Sequence, residues 1–149
     1  MHFPSIRSTQ APLTFTFQSG DVVLSTITKT VGGITLTLSN SHPSPFYVDN
    51  TGIYIGMGAS SYFDLTVTGG TIQFVSYEIG GGSAGATDTF AMLGGSGTST
   101  GNPLGPTTGS YTANGAWTLA PGQTDGKLTA NAMSGSTYSA IKSLTFSAI

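Results

Sequence analysis

Apolar and polar residues alternate along most of the chain, which is the pattern of half-buried β-strands. Leu13, Phe15 and Phe17 alternate with threonines, and the segments that begin at Ile34 and Phe63 repeat this spacing. No segment keeps a 3.6-residue period, so the pattern predicts an all-β protein. Further strand candidates are residues 21–28, 52–57, 71–79, 88–93, 109–113, 116–120, 127–133 and 144–147.

Short strands at a spacing of roughly ten residues are typical of a β-sandwich or barrel. Residues 71–79 change phase, because Ile72 and Phe74 share one face whereas Tyr77 and Ile79 share the other. Such a slip predicts a β-bulge, or a strand that crosses between two sheets. We therefore predict a single domain over residues 1–149, built as a two-sheet antiparallel β-sandwich of the jelly-roll kind.

Glycine-rich segments predict the turns and loops of this sandwich. Gly32-Gly33, Gly69-Gly70 and Asn114-Gly115 each predict a two-residue hairpin turn, and Asn114-Gly115 is the clearest of the three. Residues 80–87 and 94–108 are rich in Gly, Ser and Thr, and we predict surface loops there.

The chain carries little charge. Charged residues make up 7% of its 149 residues and the net charge is −2, whereas about 25% is usual. Four scattered cations argue against nucleic-acid binding, which depends on Lys and Arg, and no apolar run reaches the roughly 18 residues of a membrane helix. A surface of Ser, Thr, Asn and Gly without cysteine favours an extracellular or cell-surface protein of bacterial or archaeal type.

Five short motifs follow one another along the chain: Gly33-Ile34-Thr35-Leu36-Thr37-Leu38, Gly52-Ile53-Tyr54-Ile55-Gly56, Tyr62-Phe63-Asp64-Leu65-Thr66-Val67, Ile72-Gln73-Phe74-Val75-Ser76-Tyr77 and Ile141-Lys142-Ser143-Leu144-Thr145-Phe146-Ser147. With these motifs, residues 33–149 resemble the secreted jelly-roll domains of bacterial proteins of the PEP-CTERM type. The resemblance implies a sandwich outside the cell, in a family whose members mostly lack an assigned activity. Such proteins end in a Pro-Glu-Pro motif, an apolar span and basic residues, which this sequence lacks. Its first residues also lack a signal-peptide pattern, so the route of export stays open.

Catalytic chemistry has little support, because it requires titratable groups or metals placed together. His42 lies in a predicted turn, and no Gly-x-Ser-x-Gly motif accompanies it. Asp64 and Glu78 would form a glycosidase pair only if they were neighbours about 5–9 Å apart. Both lie on polar strand faces, where exposure to solvent explains them. We therefore expect no enzymatic activity and no catalytic residue.

Calcium is the one metal that the sequence leaves open, since loops supply it with Asp, Asn and backbone oxygens. Asp49, Asn50 and Asp125 are the candidate ligands. Neither segment matches an EF-hand, and the same residue types are ordinary turn formers. We expect no other cofactor.

Exposed aromatic rings beside polar groups can bind sugars, because the ring supplies apolar area and a polar edge. Tyr54, Tyr62 and Trp117 are the candidates for such a platform. Trp117 shares a strand face with Leu119, which favours a core position for it. These residues support one of two functional hypotheses, a carbohydrate-binding module that recognises polysaccharide.

The other hypothesis, which we place first, is a non-enzymatic structural protein that assembles with itself into a filament, layer or matrix. A weakly charged surface favours association, and strand edges can accept a strand from a neighbouring copy. Residues 1–18 form either an edge strand of their own sandwich or a strand exchanged between copies. Leu13, Phe15 and Phe17 would mediate that assembly.

Threonine recurs at alternate positions, as Thr14/Thr16, Thr35/Thr37 and Thr66/Thr68. A flat, regular array of threonines could match an ice lattice. Threonine is also a common strand residue on a wet face, and the spacing between these strands along the chain is irregular, so the sequence favours the simpler explanation over ice binding.

Overall fold

The computed structural model describes residues 12–40, 46–56, 60–131, 133 and 136–149. These residues form strands, turns and loops, with no helix that is long and apolar enough to cross a membrane. In chain order the strands are β1 (Leu13–Thr16), β2 (Thr26–Val31), β3 (Ile34–Ser39), β4 (Val48–Asp49), β5 (Gly52–Gly56), β6 (Tyr62–Thr68), β7 (Ile72–Gly82), β8 (Thr89–Leu93), β9 (Ser96–Gly97), β10 (Ser99–Pro103), β11 (Gly109–Thr112), β12 (Trp117–Leu119), β13 (Gly126–Asn131) and β14 (Tyr138–Ala148).

Two antiparallel sheets pack face to face. The first has the order β4-β5-β14-β7-β12-β9, with β1 also on β14 and β11 also on β7. The second has the order β10-β8-β13-β6-β3-β2. The strands β5-β14-β7-β12 of the first sheet interleave along the chain with β6-β13-β8-β10 of the second, which is the strand order of a jelly roll. The predicted two-sheet antiparallel sandwich is confirmed.

The core lies between the sheets and is filled by the inward residue of each alternating pair. Leu13, Phe15 and Phe17 are all buried. Aromatic rings form its centre, where Phe15 meets Phe146 edge-on at 5.8 Å and Tyr77 meets Phe90 at 4.7 Å between ring centroids. Edge-to-face contacts of this kind stabilise a pair by roughly 0.5–1.5 kcal/mol beyond the burial of its area.

The phase slip in residues 71–79 is a β-bulge. In the β7–β14 ladder Ser76 pairs with Thr145 and Phe74 pairs with Phe146, which leaves Val75 as an additional residue without a partner. Val75 is exposed, whereas Phe74 and Tyr77 are both buried. The bulge therefore returns both halves of β7 to the same core face, and the strand does not cross to the other sheet.

Two of the predicted hairpins are wrong. Gly32-Gly33 joins β2 to β3 as predicted, but Gly69-Gly70 leads from β6 in the second sheet to β7 in the first. Asn114-Gly115 joins β11 to β12, which lie in line because both pair antiparallel with β7. The Asn114 N–H donates to Asn102 Oδ1 at 2.9 Å, and the Asn114 Nδ2 donates to the carbonyl of Gly101 at 2.9 Å. Tertiary hydrogen bonds therefore hold this turn as a connection between two strands that lie end to end along β7, although its sequence favours a hairpin.

Residues 94–108 are not the loop that their composition predicts. They contain β9 and β10, and Ser99 and Asn102 are fully buried there. The Asn102 Nδ2 donates to the carbonyls of Phe90 and Ser99, each at 3.2 Å. Asn102 therefore ties β10 to β8 and, through Asn114, to the first sheet.

Replacing Phe15 with Ala should destabilise the fold by about 3–5 kcal/mol, because it removes a fully buried ring and leaves a cavity. Thr16→Ala is the matched control, since Thr16 is exposed on the same strand, and it should change stability by less than about 0.5 kcal/mol. Urea unfolding followed by circular dichroism measures both. Equal effects of the two substitutions would contradict the packing of β1.

Candidate functional site

Three tyrosines gather on the outer face of the first sheet, where β4, β5 and β14 meet. Tyr54 lies on β5 with its neighbours Ile53 and Ile55 buried, so its ring points away from the core. The Tyr54 N–H donates to the carbonyl of Tyr47 at 2.9 Å, which places Tyr47 opposite Tyr54. Tyr138 pairs with Gly56 in the β5–β14 ladder and lies diagonally across from Tyr54. We call Tyr47, Tyr54 and Tyr138 the tyrosine platform.

The rings of the platform form a continuous aromatic surface. Tyr54 and Tyr138 stack with their centroids 5.0 Å apart and an interplanar angle of 17°. Tyr47 meets Tyr54 edge-on at 6.5 Å and is 51% exposed. An open concavity of about 410 Å³ is lined by Tyr47, Val48, Asp49 and Tyr54. This volume lies within the roughly 300–1,000 Å³ range of ligand sites.

Asp49 fixes the position of the central ring. Its carboxylate accepts hydrogen bonds from the Thr51 N–H at 2.8 Å, from Thr51 Oγ1 at 2.5 Å and from the Tyr54 hydroxyl at 2.6 Å. The hydroxyls of Thr51 and Tyr54 hold the pKa of Asp49 below its usual value, and the same bond to Asp49 raises the pKa of Tyr54. Tyr54 therefore stays protonated, with its hydroxyl hydrogen directed at Asp49.

Two glycines let the turn at Asp49 lie against the sheet. Gly52 has a φ of +129°, and an added Cβ would lie 2.2 Å from the carbonyl oxygen of Ile141. A Cβ on Gly80 would lie 2.0 Å from the carbonyl oxygen of Thr51. Any larger residue at either position would push the turn, and with it Asp49, away from Tyr54.

The predicted aromatic candidates do not form one site. Tyr54 belongs to the tyrosine platform, whereas Tyr62 lies on the outer face of the second sheet with Lys127 Nζ 5.0 Å from its ring centre. Trp117 is fully buried, and its Nε1 donates to the carbonyl of Leu93 at 3.1 Å. Trp117 therefore has the core position that its pattern favoured and offers no surface to a ligand.

The three candidate calcium ligands are also separated. Asp49 and Asn50 share one turn, where Asn50 Oδ1 accepts from the Ser19 N–H at 3.3 Å. Asp125 follows β12 toward the other edge of the first sheet, and its Oδ1 accepts from the Gly95 N–H at 3.1 Å. Among the residues that the structure describes, no group of three or more His, Asp or Glu side chains could hold a metal. A calcium site at Asp49 and Asn50 stays a prediction.

Asp64 and Glu78 are not neighbours. Asp64 lies on the outer face of β6 in the second sheet, and Glu78 lies on the outer face of β7 in the first, 3.8 Å from Lys142 Nζ. The packed core separates the two faces, so these carboxylates cannot act as a glycosidase pair. His42 lies outside the described residues. The expected lack of enzymatic activity stays a prediction.

Sequence reasoning missed Tyr47 and Tyr138 as partners of Tyr54. Tyr47 precedes β4, which is only two residues long and too short to show a period. Tyr138 begins β14, and it shares the phase of Ala140 on the outer face. That phase was the one signal for Tyr138 in the sequence. Only the pairing of β14 with β5 shows that Tyr138 lies next to Tyr54.

Comparison of the chain with family models, with curated proteins and with solved structures gave no significant match. The resemblance to secreted domains of the PEP-CTERM type therefore stays a prediction.

Replacing Thr51 with Val should raise the pKa of Asp49, because it removes the hydroxyl with the largest lowering effect. A folded-state pKa below the unfolded value of about 3.9 means that ionised Asp49 stabilises the fold above that pH. This stabilisation is lost as the pH falls through the folded-state pKa. The loss should be smaller in the variant.

Carboxyl NMR titration measures the pKa of Asp49, and acid unfolding measures the stability. Thr16→Val is the control and should leave both unchanged. An unaltered Asp49 pKa in the Thr51 variant would show that the hydroxyl bond is absent in solution.

Proposed function

We propose that this chain is a carbohydrate-binding protein that works outside the cell and recognises polysaccharide through the tyrosine platform. The observation that carries this proposal is the stacked pair Tyr54 and Tyr138, extended by the exposed ring of Tyr47 along an open concavity.

Sugar rings have apolar C–H faces and a rim of hydroxyls, so they suit aromatic rings that carry a polar edge. The platform offers both features. A phenolic hydroxyl donates one hydrogen bond and also accepts. Because Tyr54 donates to Asp49, its oxygen lone pairs are oriented to accept from a sugar hydroxyl.

The shape of the site favours an internal segment of a long chain over a free end. Among the described residues the concavity is partly open to solvent and is lined by Tyr47, Val48, Asp49 and Tyr54. A polysaccharide could therefore continue past the platform on both sides.

Replacing Tyr47 with Ala should weaken polysaccharide binding about tenfold, which corresponds to about 1.4 kcal/mol. The substitution removes an exposed ring without opening the core. Tyr62→Ala is the matched control, because Tyr62 lies on the opposite face of the sandwich, and it should bind as the unaltered protein does.

Affinity electrophoresis through gels that contain one polysaccharide each identifies the ligand, and calorimetry then gives the affinities. If no polysaccharide slows the migration of the protein through the gel, the proposal is refuted. Equal losses in the Tyr47 and Tyr62 variants would refute the assignment of the site.

A second candidate function is self-assembly through exchange of β1, and the pairing of this strand favours it. Within the described residues β1 pairs with β14 alone, over the four residue pairs from Leu13↔Phe146 to Thr16↔Ser143. Leu13 and Phe15 of β1, and Phe17 directly after it, are nevertheless buried in the core. A strand that fills this slot in its own chain can fill the same slot in another copy with the same contacts.

If β1 is exchanged, light scattering over a concentration series should show a mass that grows with concentration. Deleting residues 1–18 should abolish that growth, and a synthetic peptide of residues 12–18 should bind the shortened chain and fill the vacant slot. A full-length protein that stays monomeric at every concentration would rule out strand exchange.

A further inference from the structure

The outer face of the second sheet carries threonines in aligned rows. Strand register places Thr37 of β3 between Thr28 of β2 and Thr66 of β6. The next row places Thr35 between Thr30 and Thr68 in the same way. We call the resulting set of six residues, in two rows on three strands, the threonine grid: Thr28, Thr30, Thr35, Thr37, Thr66 and Thr68.

All six side chains point away from the core. Of the residues between them, Leu36 and Val67 are buried, and Lys29 on the edge strand β2 is half-buried with its Nζ 2.9 Å from Asp21 Oδ2. Thr28, Thr30, Thr66 and Thr68 are exposed, and the two threonines of the central strand are half-buried by these neighbours. Thr30 and Thr35 are hydrogen-bonded through their hydroxyls at 2.8 Å. The six positions therefore present hydroxyls and methyls, and the adjoining row of the same face carries Asp64, which pairs with Lys127 of β13.

The spacing of the grid follows from the sheet. Neighbouring strands lie about 4.8 Å apart, and alternate residues on one strand lie about 6.8 Å apart. In a tetrahedral water network with O···O distances of about 2.75 Å, two waters bonded to a common neighbour lie about 4.5 Å apart. Puckered layers of the same network repeat every 7.3 Å or so at right angles to that direction. Both repeats of the grid thus lie within about 0.5 Å of repeats in ice.

We propose that the threonine grid is an ice-binding surface. Its hydroxyls occupy positions of lattice waters, and its γ-methyls fill the hollows between them. Threonine suits this role better than serine, because the branched side chain restricts χ1 and holds the hydroxyl in place. An ion orders the water around itself in a pattern that ice does not have, so the matching surface ends at the row of Asp64 and covers the two threonine rows.

The twist of the sheet limits the size of the matching patch. Adjacent strands rotate by about 20–25° relative to each other, so three strands match a flat lattice over only a small area. The expected activity is therefore inhibition of ice recrystallisation and retention in growing ice, with little depression of the freezing point.

The experiment compares the unaltered protein with Thr37→Lys and Thr66→Lys, each of which places a charge in the row formed by Thr28, Thr37 and Thr66. Thr112→Lys is the matched control, because Thr112 is an exposed strand threonine on the first sheet. The unaltered protein and the control should inhibit recrystallisation equally. Each grid variant should require at least tenfold more protein for the same inhibition, while circular dichroism shows an intact fold.

Two results would overturn the proposal. One is exclusion of the unaltered protein from a growing ice crystal at every concentration. The other is an equal loss of inhibition in Thr112→Lys and the grid variants, which would indicate an effect of charge alone. Tyr47→Ala should retain full ice binding, so the outcome is independent of polysaccharide recognition.

Discussion

The ladder between β7 and β14 is the constraint on which the rest of the sandwich depends. These two strands span eleven residues each, and both are hydrogen-bonded on both edges. β14 carries β5 and β1 on its other edge, and β7 carries β11 and β12. Buried backbone groups must find partners, so loss of this ladder would leave β7 and β14 each with an unpaired edge and would divide the first sheet into two parts. The bulge at Val75 lets the ladder run its full length without turning an aromatic residue out of the core.

The same architecture presents two outer faces with different chemistry. The first sheet displays the tyrosine platform beside the β5–β14 ladder. The second displays the threonine grid, where β3 lies between β2 and β6. Charged residues make up 7% of the chain, and both faces carry some of them: Asp49, Glu78 and Lys142 lie on the first sheet, and Asp64 and Lys127 lie on the second. Of the two proposed ligands, polysaccharide presents a dense array of hydroxyls and ice presents a dense array of water molecules.

The alternation of residues was sufficient to predict strands at residues 71–79 and 144–147, which overlap β7 and β14, and the shared face of Leu13, Phe15 and Phe17, but not the full length of the two long strands. The phase change in residues 71–79 left open a bulge or a crossing between sheets, and the structure shows the bulge. The alternation could not reveal β9 and β10, whose Gly-rich residues are ordered by the side chain of Asn102. Nor could it find the in-line turn at Asn114-Gly115, since long-range hydrogen bonds override the local preference there.

The candidate site shows the same division between local and long-range information. Tyr54 was one of three aromatic candidates in the sequence, but its two partners come from β14 and from the residue before β4. Likewise, each threonine pair was visible in the sequence, yet only the register of three strands aligns them into rows. Properties that arise from pairing between distant segments are therefore the ones that the sequence conceals.

The place of β14 in the chain has a consequence for biosynthesis. This strand lies in the middle of the first sheet, yet it follows all the other described strands in the sequence. While the ribosome is still making the preceding residues, β1, β5 and β7 each lack the neighbour that β14 will later provide. Exposed strand edges invite pairing with other chains. The nascent chain is therefore most prone to aggregate just before synthesis of β14 is finished. Crowding of nascent chains at that stage should limit the yield of folded protein.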